Sequence, residues 1–212
     1  MATIADGQQL AVEVTRDVPE AAPTGDPAIL GLPIFVVGSI ALGLSLVGYV
    51  PAAAGGVIVP VIFAATGLGL VISTVWAAAL GQTMVASIFG LFAGFWLSFS
   101  ILVLGVFHNW LLIPAANVNK SIALFLISWA IVMAALTIAT LRLPVSYTAV
   151  IALVVLALVL RTIAVLNTDD SLNKAAGYVV FLFAALGIYL FLNAAETATG
   201  GRGYPLGAPL RK

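Results

Sequence analysis

From Pro27 to Phe107 the chain carries no Asp, Glu, Lys or Arg, and long apolar runs continue beyond it. A run of about 20 apolar residues is what crosses the hydrocarbon core of a bilayer. In lipid each backbone polar group has to be satisfied within its own segment, so such runs fold as helices. A transmembrane β-barrel shows alternating segments of about ten residues instead, and these runs do not alternate. With 63% of the 212 residues hydrophobic and only 8% charged, a soluble globular domain is not expected. The fold class that follows is an all-α membrane protein with six transmembrane helices per protomer.

Residues 1–25 are expected to be a disordered tail. Asp6, Glu13, Asp17 and Glu20 stand there against Arg16 alone, the reverse of a signal peptide's basic start and apolar centre. Asp26 before Pro27 reads as a helix cap with proline in the first turn. The transmembrane domain is expected over 26–196, with helices near 28–49, 56–76, 84–107, 121–141, 147–166 and 175–195. Pro60 should kink the second of these unless it falls in the first turn. Asp169 or Ser171 can cap the sixth, Arg161 can snorkel near the end of the fifth, and 197–212 form a C-terminal tail. Six spans put both termini on one side. Arg16, Arg142, Arg202, Arg211 and Lys212 fall there, against Lys120, Arg161 and Lys174 opposite, which favours cytoplasmic termini in a multi-pass plasma-membrane protein.

The residue inventory narrows the chemistry. Without cysteine there is no disulfide, thiolate nucleophile or thiolate metal site. No cofactor or metal is expected, and a net charge of zero gives no reason to expect nucleic acid. The sole histidine, His108, lies at an interface beside Asn109 and Trp110, where the structural role is the ordinary one. Span serines usually bond their own helix, and none here has a lysine or histidine nearby. No span centre carries a charge, which argues against an ion-coupled pump and for a pore-like pathway. An enzyme is not expected.

One stretch concentrates the remaining signal. In Gly81–Ser98 the small residues Ala86, Gly90, Gly94 and Ser98 recur every fourth position, a ridge that lets another helix approach closely. Phe89, Phe92, Phe95 and Trp96 spread over the neighbouring faces, either as packing or as the lining of a passage.

Three segments resemble the acetate uptake transporter family, the succinate/acetate permeases. Gly25-Asp26-Pro27-Ala28-Ile29-Leu30-Gly31-Leu32 is similar to the Asn-Pro-Ala-Pro-Leu-Gly-Leu signature that opens the family's first helix. Gly81–Ser98 matches its third-helix signature without a gap at Gly81, Thr83, Ala86, Phe89, Phe95, Trp96, Leu97 and Ser98. Ala175 to Tyr178, Asn193, and Tyr204 to Gly207 resemble its sixth helix and its ending. The resemblance implies a homohexamer in the bilayer, each protomer passing a small carboxylic acid such as acetate, in some members succinate. It places Asp26, Pro27 and Leu30 at the mouth of the first helix, and Phe89, Phe92, Phe95, Trp96 and Asn193 along the pathway. Asp26 stands where the family has asparagine, and Phe92 where it has tyrosine. A path with no central charge predicts passage of the neutral acid, or proton-linked passage. Two other readings stay open: a non-transporting accessory protein on the same scaffold, and a channel for a small neutral solute.

Overall fold

A computed structural model describes residues 24–211. The expected N-terminal tail, with Arg16, lies outside the described residues apart from Thr24 and Gly25, and so does Lys212. Six apolar helices follow one another: α1 (Ala28–Leu46), α2 (Ala52–Ala79), α3 (Thr83–Phe107), α4 (Val118–Ala139), α5 (Val145–Asn167) and α6 (Asp170–Ala198). α4 is entered through a 3-10 turn, Ala115–Asn117. No strand forms among the described residues.

The helix ends have local causes. Asp26 sits one residue ahead of the cap position, which Pro27 takes, and its carboxylate accepts the Ala28 N–H at 2.9 Å. α1 stops at Leu46, short of the expected Tyr49, because the chain turns at Gly48 with φ +85° and then meets Pro51. α6 begins at Asp170, earlier than expected, because Asp169 caps it by accepting from the N–H groups of Ser171 and Leu172 at 2.8 and 3.1 Å.

α2 departs furthest from expectation. Its Ala-Ala-Ala-Gly-Gly start is helical rather than a connection: Ala52–Ile58 is 3-10, Val61–Leu68 is π and Gly69–Ala79 is α. Pro60 stands at the change from 3-10 to π, where its missing N–H and its ring forbid a regular α-helical bond. In a span such irregularity survives only if neighbours take up the freed polar groups or cover them. Here α1 packs over the π stretch, and the Thr66 hydroxyl ties the two helices by donating to the Ile34 carbonyl of α1 at 3.2 Å.

α1 packs on α6 and on the π and α parts of α2, α5 lies between α4 and α6, and α2 packs on α3. Helices approach closely in lipid where side chains are small. A Cβ on Gly43 would come within 2.6 Å of Phe181, one on Gly177 within 2.8 Å of Val47, and one on Gly187 within 2.8 Å of Val36, so glycines on both helices set the α1–α6 distance. The ridge of α3 is used the same way: Gly90 faces Thr74 of α2, and Gly94 faces Trp129 of α4.

Beyond α6 the chain folds back along the termini side. Asn193 Oδ1 accepts the Tyr204 N–H at 2.6 Å, and Tyr189 donates its hydroxyl to the Pro205 carbonyl at 2.7 Å. Ser146 donates its hydroxyl to Leu206 O at 2.8 Å, and the Arg211 N–H donates to Leu141 O at 2.9 Å. This strap ties the end of α6 to the α4–α5 connection.

Candidate solute pathway

Two chambers lie one above the other inside the bundle, and they meet at a pair of rings. The termini-side chamber encloses about 240 Å³ between α1, α3, α5 and α6, with Asp26 and Leu143 near its mouth and Val85, Ile88 and Phe89 along its wall. The opposite chamber encloses about 270 Å³, with Ala52, Gly55 and Phe107 near its mouth and Phe95, Trp96 and Phe99 along its wall. Phe35 and Phe92 line both. Their centroids are 4.8 Å apart at 57°, and Phe183 of α6 stacks on Phe35 at 5.7 Å. All three rings are buried.

The rings meet there for local reasons. Phe35, the eighth residue of α1, lies two beyond Pro33, whose missing N–H leaves the Ile29 carbonyl without its helical partner although the helix runs on unbroken. Phe92 is held on its side of α3 because Phe89, one turn earlier, lies flat on Gly31, where any Cβ would collide with the ring. Phe95 instead anchors an aromatic cluster, with Trp129 edge-on at 5.7 Å, Phe125 at 5.8 Å and Phe99 stacked at 5.7 Å. One face of α3 thus supplies both the constriction and the packing that fixes it.

Polar groups enter each chamber away from the rings. On the termini side these are Asp26 and Tyr147 of α5. Tyr147 of α5 lines the same chamber as Phe92, from another helix. On the opposite side Arg161 of α5 donates to Asn173 Oδ1 of α6, and Asn173 Nδ2 donates to Leu46 O of α1 at 3.0 Å. Arg161 therefore turns inward to a chamber instead of snorkelling outward. Trp96, 1% exposed, keeps its indole N–H buried without an acceptor among the described residues. Ser39, Ser73, Ser98, Ser100 and Ser128 all donate to carbonyls of their own helices, so none of them is poised as a nucleophile.

The structure distributes the residues singled out from sequence over distinct places. Asp26, Phe89 and Phe92 line the termini-side chamber, and Phe92, Phe95 and Trp96 line the opposite one. Pro27 is buried at the start of α1, and neither it nor Leu30 is among the lining residues. Asn193 lines neither chamber and holds the C-terminal strap. Sequence reasoning missed Phe35, Phe183, Tyr147 and Asn173. The two phenylalanine rings and the phenol lie in ordinary apolar runs with nothing local to mark them; Arg161, a basic residue inside a span, was the one signal that pointed toward Asn173.

Three comparisons bear on this arrangement. Residues 8–204 match the model of the GPR1/FUN34/yaaH family. Acetate permease A of Emericella nidulans is 27% identical over 177 residues, which cover 78% of this chain and 59% of that protein. The chain thus spans about 59% of the length of that curated relative. A solved structure described as the bacterial acetate channel SatP superposes with a TM-score of 0.77 at 22% identity, covering 87% of this chain and 99% of that one, and so shares its fold.

Proposed function

The chain belongs to the GPR1/FUN34/yaaH family, and on that premise we propose that it is a multi-pass membrane permease or channel for small monocarboxylic acids such as acetate. The observation that carries this reading is the pair of chambers meeting at Phe35 and Phe92. Names of the relatives point to the same solute class: an acetate permease and an acetate channel.

The constriction sets the form in which the solute crosses. Phe35, Phe92 and Phe183 offer no hydrogen-bond donor, and a bare carboxylate forced between them would lose its hydration without replacement. The neutral acid crosses at far lower cost, so transport is as the protonated acid or is proton-linked. The pathway residues of this reading are Asp26, Phe89, Phe92, Phe95 and Trp96 together with Phe35 and Phe183, while Pro27, Leu30 and Asn193 act by holding the ends of α1 and α6.

The family likeness further implies a homohexamer with one pathway per protomer. The outward faces of α2 and α4 are consistent with burial in lipid or against a neighbouring protomer, since Ile72, Val75, Leu124 and Ile131 are all exposed. The basic residues of the termini side favour a cytoplasmic position for both ends in the plasma membrane.

The test is uptake of labelled acetate into proteoliposomes at about pH 5 and about pH 7, which straddle the change from a partly protonated to an ionised carboxylic acid. Protein-dependent flux that rises at the lower pH is expected. No flux at either pH would overturn the reading in favour of a non-transporting scaffold, which the closed contact of Phe35 with Phe92 would then explain. Flux of acetamide without flux of acetate would make it a channel for neutral solutes.

A further inference from the structure

We infer that Arg161 and Asn173 form a carboxylate-binding subsite in the opposite chamber, where the anionic solute docks before it reaches the Phe35–Phe92 constriction. The inference rests on the permease or channel reading and gives it a site. A cation inside a span is expensive, and such residues face a cavity or a partner and mark solute pathways. Arg161 lies in α5 and lines the opposite chamber, yet among the described residues no carboxylate pairs with it; the nearby Lys174–Asp170 ion pair, at 2.7 Å, is exposed on α6 and lines no part of the chamber.

The geometry leaves the guanidinium ready for an anion. A guanidinium has five N–H donors in a planar fork. One of them is used, on Asn173 Oδ1, and the Asn173 amide is held in that orientation because its Nδ2 donates to Leu46 O at 3.0 Å. The other donors have no protein acceptor among the described residues. A carboxylate accepts two parallel N–H bonds from such a fork, the strongest common form of a charge-assisted hydrogen bond. No Asp or Glu lines this chamber to repel it, and Phe95, Trp96 and Phe99 offer apolar wall to a short alkyl chain.

The competing view is that Arg161 only tethers α5 to α6 through Asn173. The full chain in proteoliposomes separates the two, with acetate and its neutral isostere acetamide as probes at about pH 7, where acetate is ionised. Arg161→Gln can still bond Asn173 but carries no charge. It is expected to raise the half-saturating acetate concentration about tenfold, the loss of a charge-assisted pair, while changing acetamide flux and the melting temperature little. Arg161→Lys, which keeps the charge without the fork, recovers part of the affinity. If Arg161→Gln does not fold, Arg161→Lys carries the same comparison, and an unchanged half-saturation in the folded variant overturns the subsite. Should the unaltered protein conduct no acetate at all, the permease reading fails instead. Saturation transfer from the protein to acetate then decides the subsite alone: a signal lost in Arg161→Gln supports it, and a signal indifferent to the change sinks it.

Discussion

Phe35 of α1 and Phe92 of α3 stand 4.8 Å apart, centroid to centroid, and each closes one end of both chambers. A contact of two rings on separate helices is a barrier that can be thinned one ring at a time. Phe92→Ala removes half of it. The expected outcome is faster flux of acetate and passage of larger monocarboxylates such as butyrate, with about 3–5 kcal/mol of lost packing at most, because the chambers flank the cavity so made. Stopped-flow measurement of internal acidification with acids of increasing length checks it. Phe92→Tyr keeps the ring and should leave the size limit where it is.

Gly31 lies beneath the Phe89 ring with no room for a side chain. Gly31→Ala should therefore push Phe89 toward the termini-side chamber and destabilise the bundle by about 1–3 kcal/mol, the ordinary cost of overpacking. Adding Phe89→Leu should restore much of the lost stability, since the two changes share one contact. Thermal unfolding in detergent of the single and double variants reads this coupling, and simple additivity would contradict the packing described.

Asp26, one residue ahead of the cap position of α1, accepts the Ala28 N–H and also lines the termini-side chamber. Asn can accept the same Ala28 N–H without the charge. Asp26→Asn should thus leave stability within about 0.5 kcal/mol while raising acetate entry from the termini side at neutral pH, an effect that shrinks with added salt. Asp26→Ala loses the cap as well and should cost about 1 kcal/mol. Flux measured in vesicles of defined protein orientation, at low and high ionic strength, distinguishes the two.

Asn193 holds Tyr204 through one short bond, and Arg202 lies in the stretch between Ala198, where α6 ends, and Tyr204. Asn193→Ala removes an acceptor from the strap, an interaction of about 0.5–1.5 kcal/mol. Trypsin cleavage after Arg202 should then rise by up to about tenfold, because proteolysis follows the population of the open form. Mass spectrometry of timed digests gives the rate. Acetate flux should change little, since Asn193 lines neither chamber.

What the sequence determined by itself is the part set by composition along one dimension. An uncharged stretch from Pro27 to Phe107 admits little except membrane helices, and the caps at Asp26 and Asp169 and the break at Pro60 are read from neighbours in the chain. The spacing of Ala86, Gly90, Gly94 and Ser98 likewise indicated a close-packing face, since periodicity is a property of one helix. Which residues meet across helices was decided only by the tertiary structure. Phe92 was legible through its place in a signature, but its partner Phe35 sits in an apolar run like any other, and nothing local distinguishes it. Arg161 looked like a residue free to reach the interface until α6, packed along α5, brought Asn173 beside it. Helix type follows from solvation of the backbone, which acts residue by residue; a pathway follows from which faces pack and which are left apart, and that depends on all six helices at once.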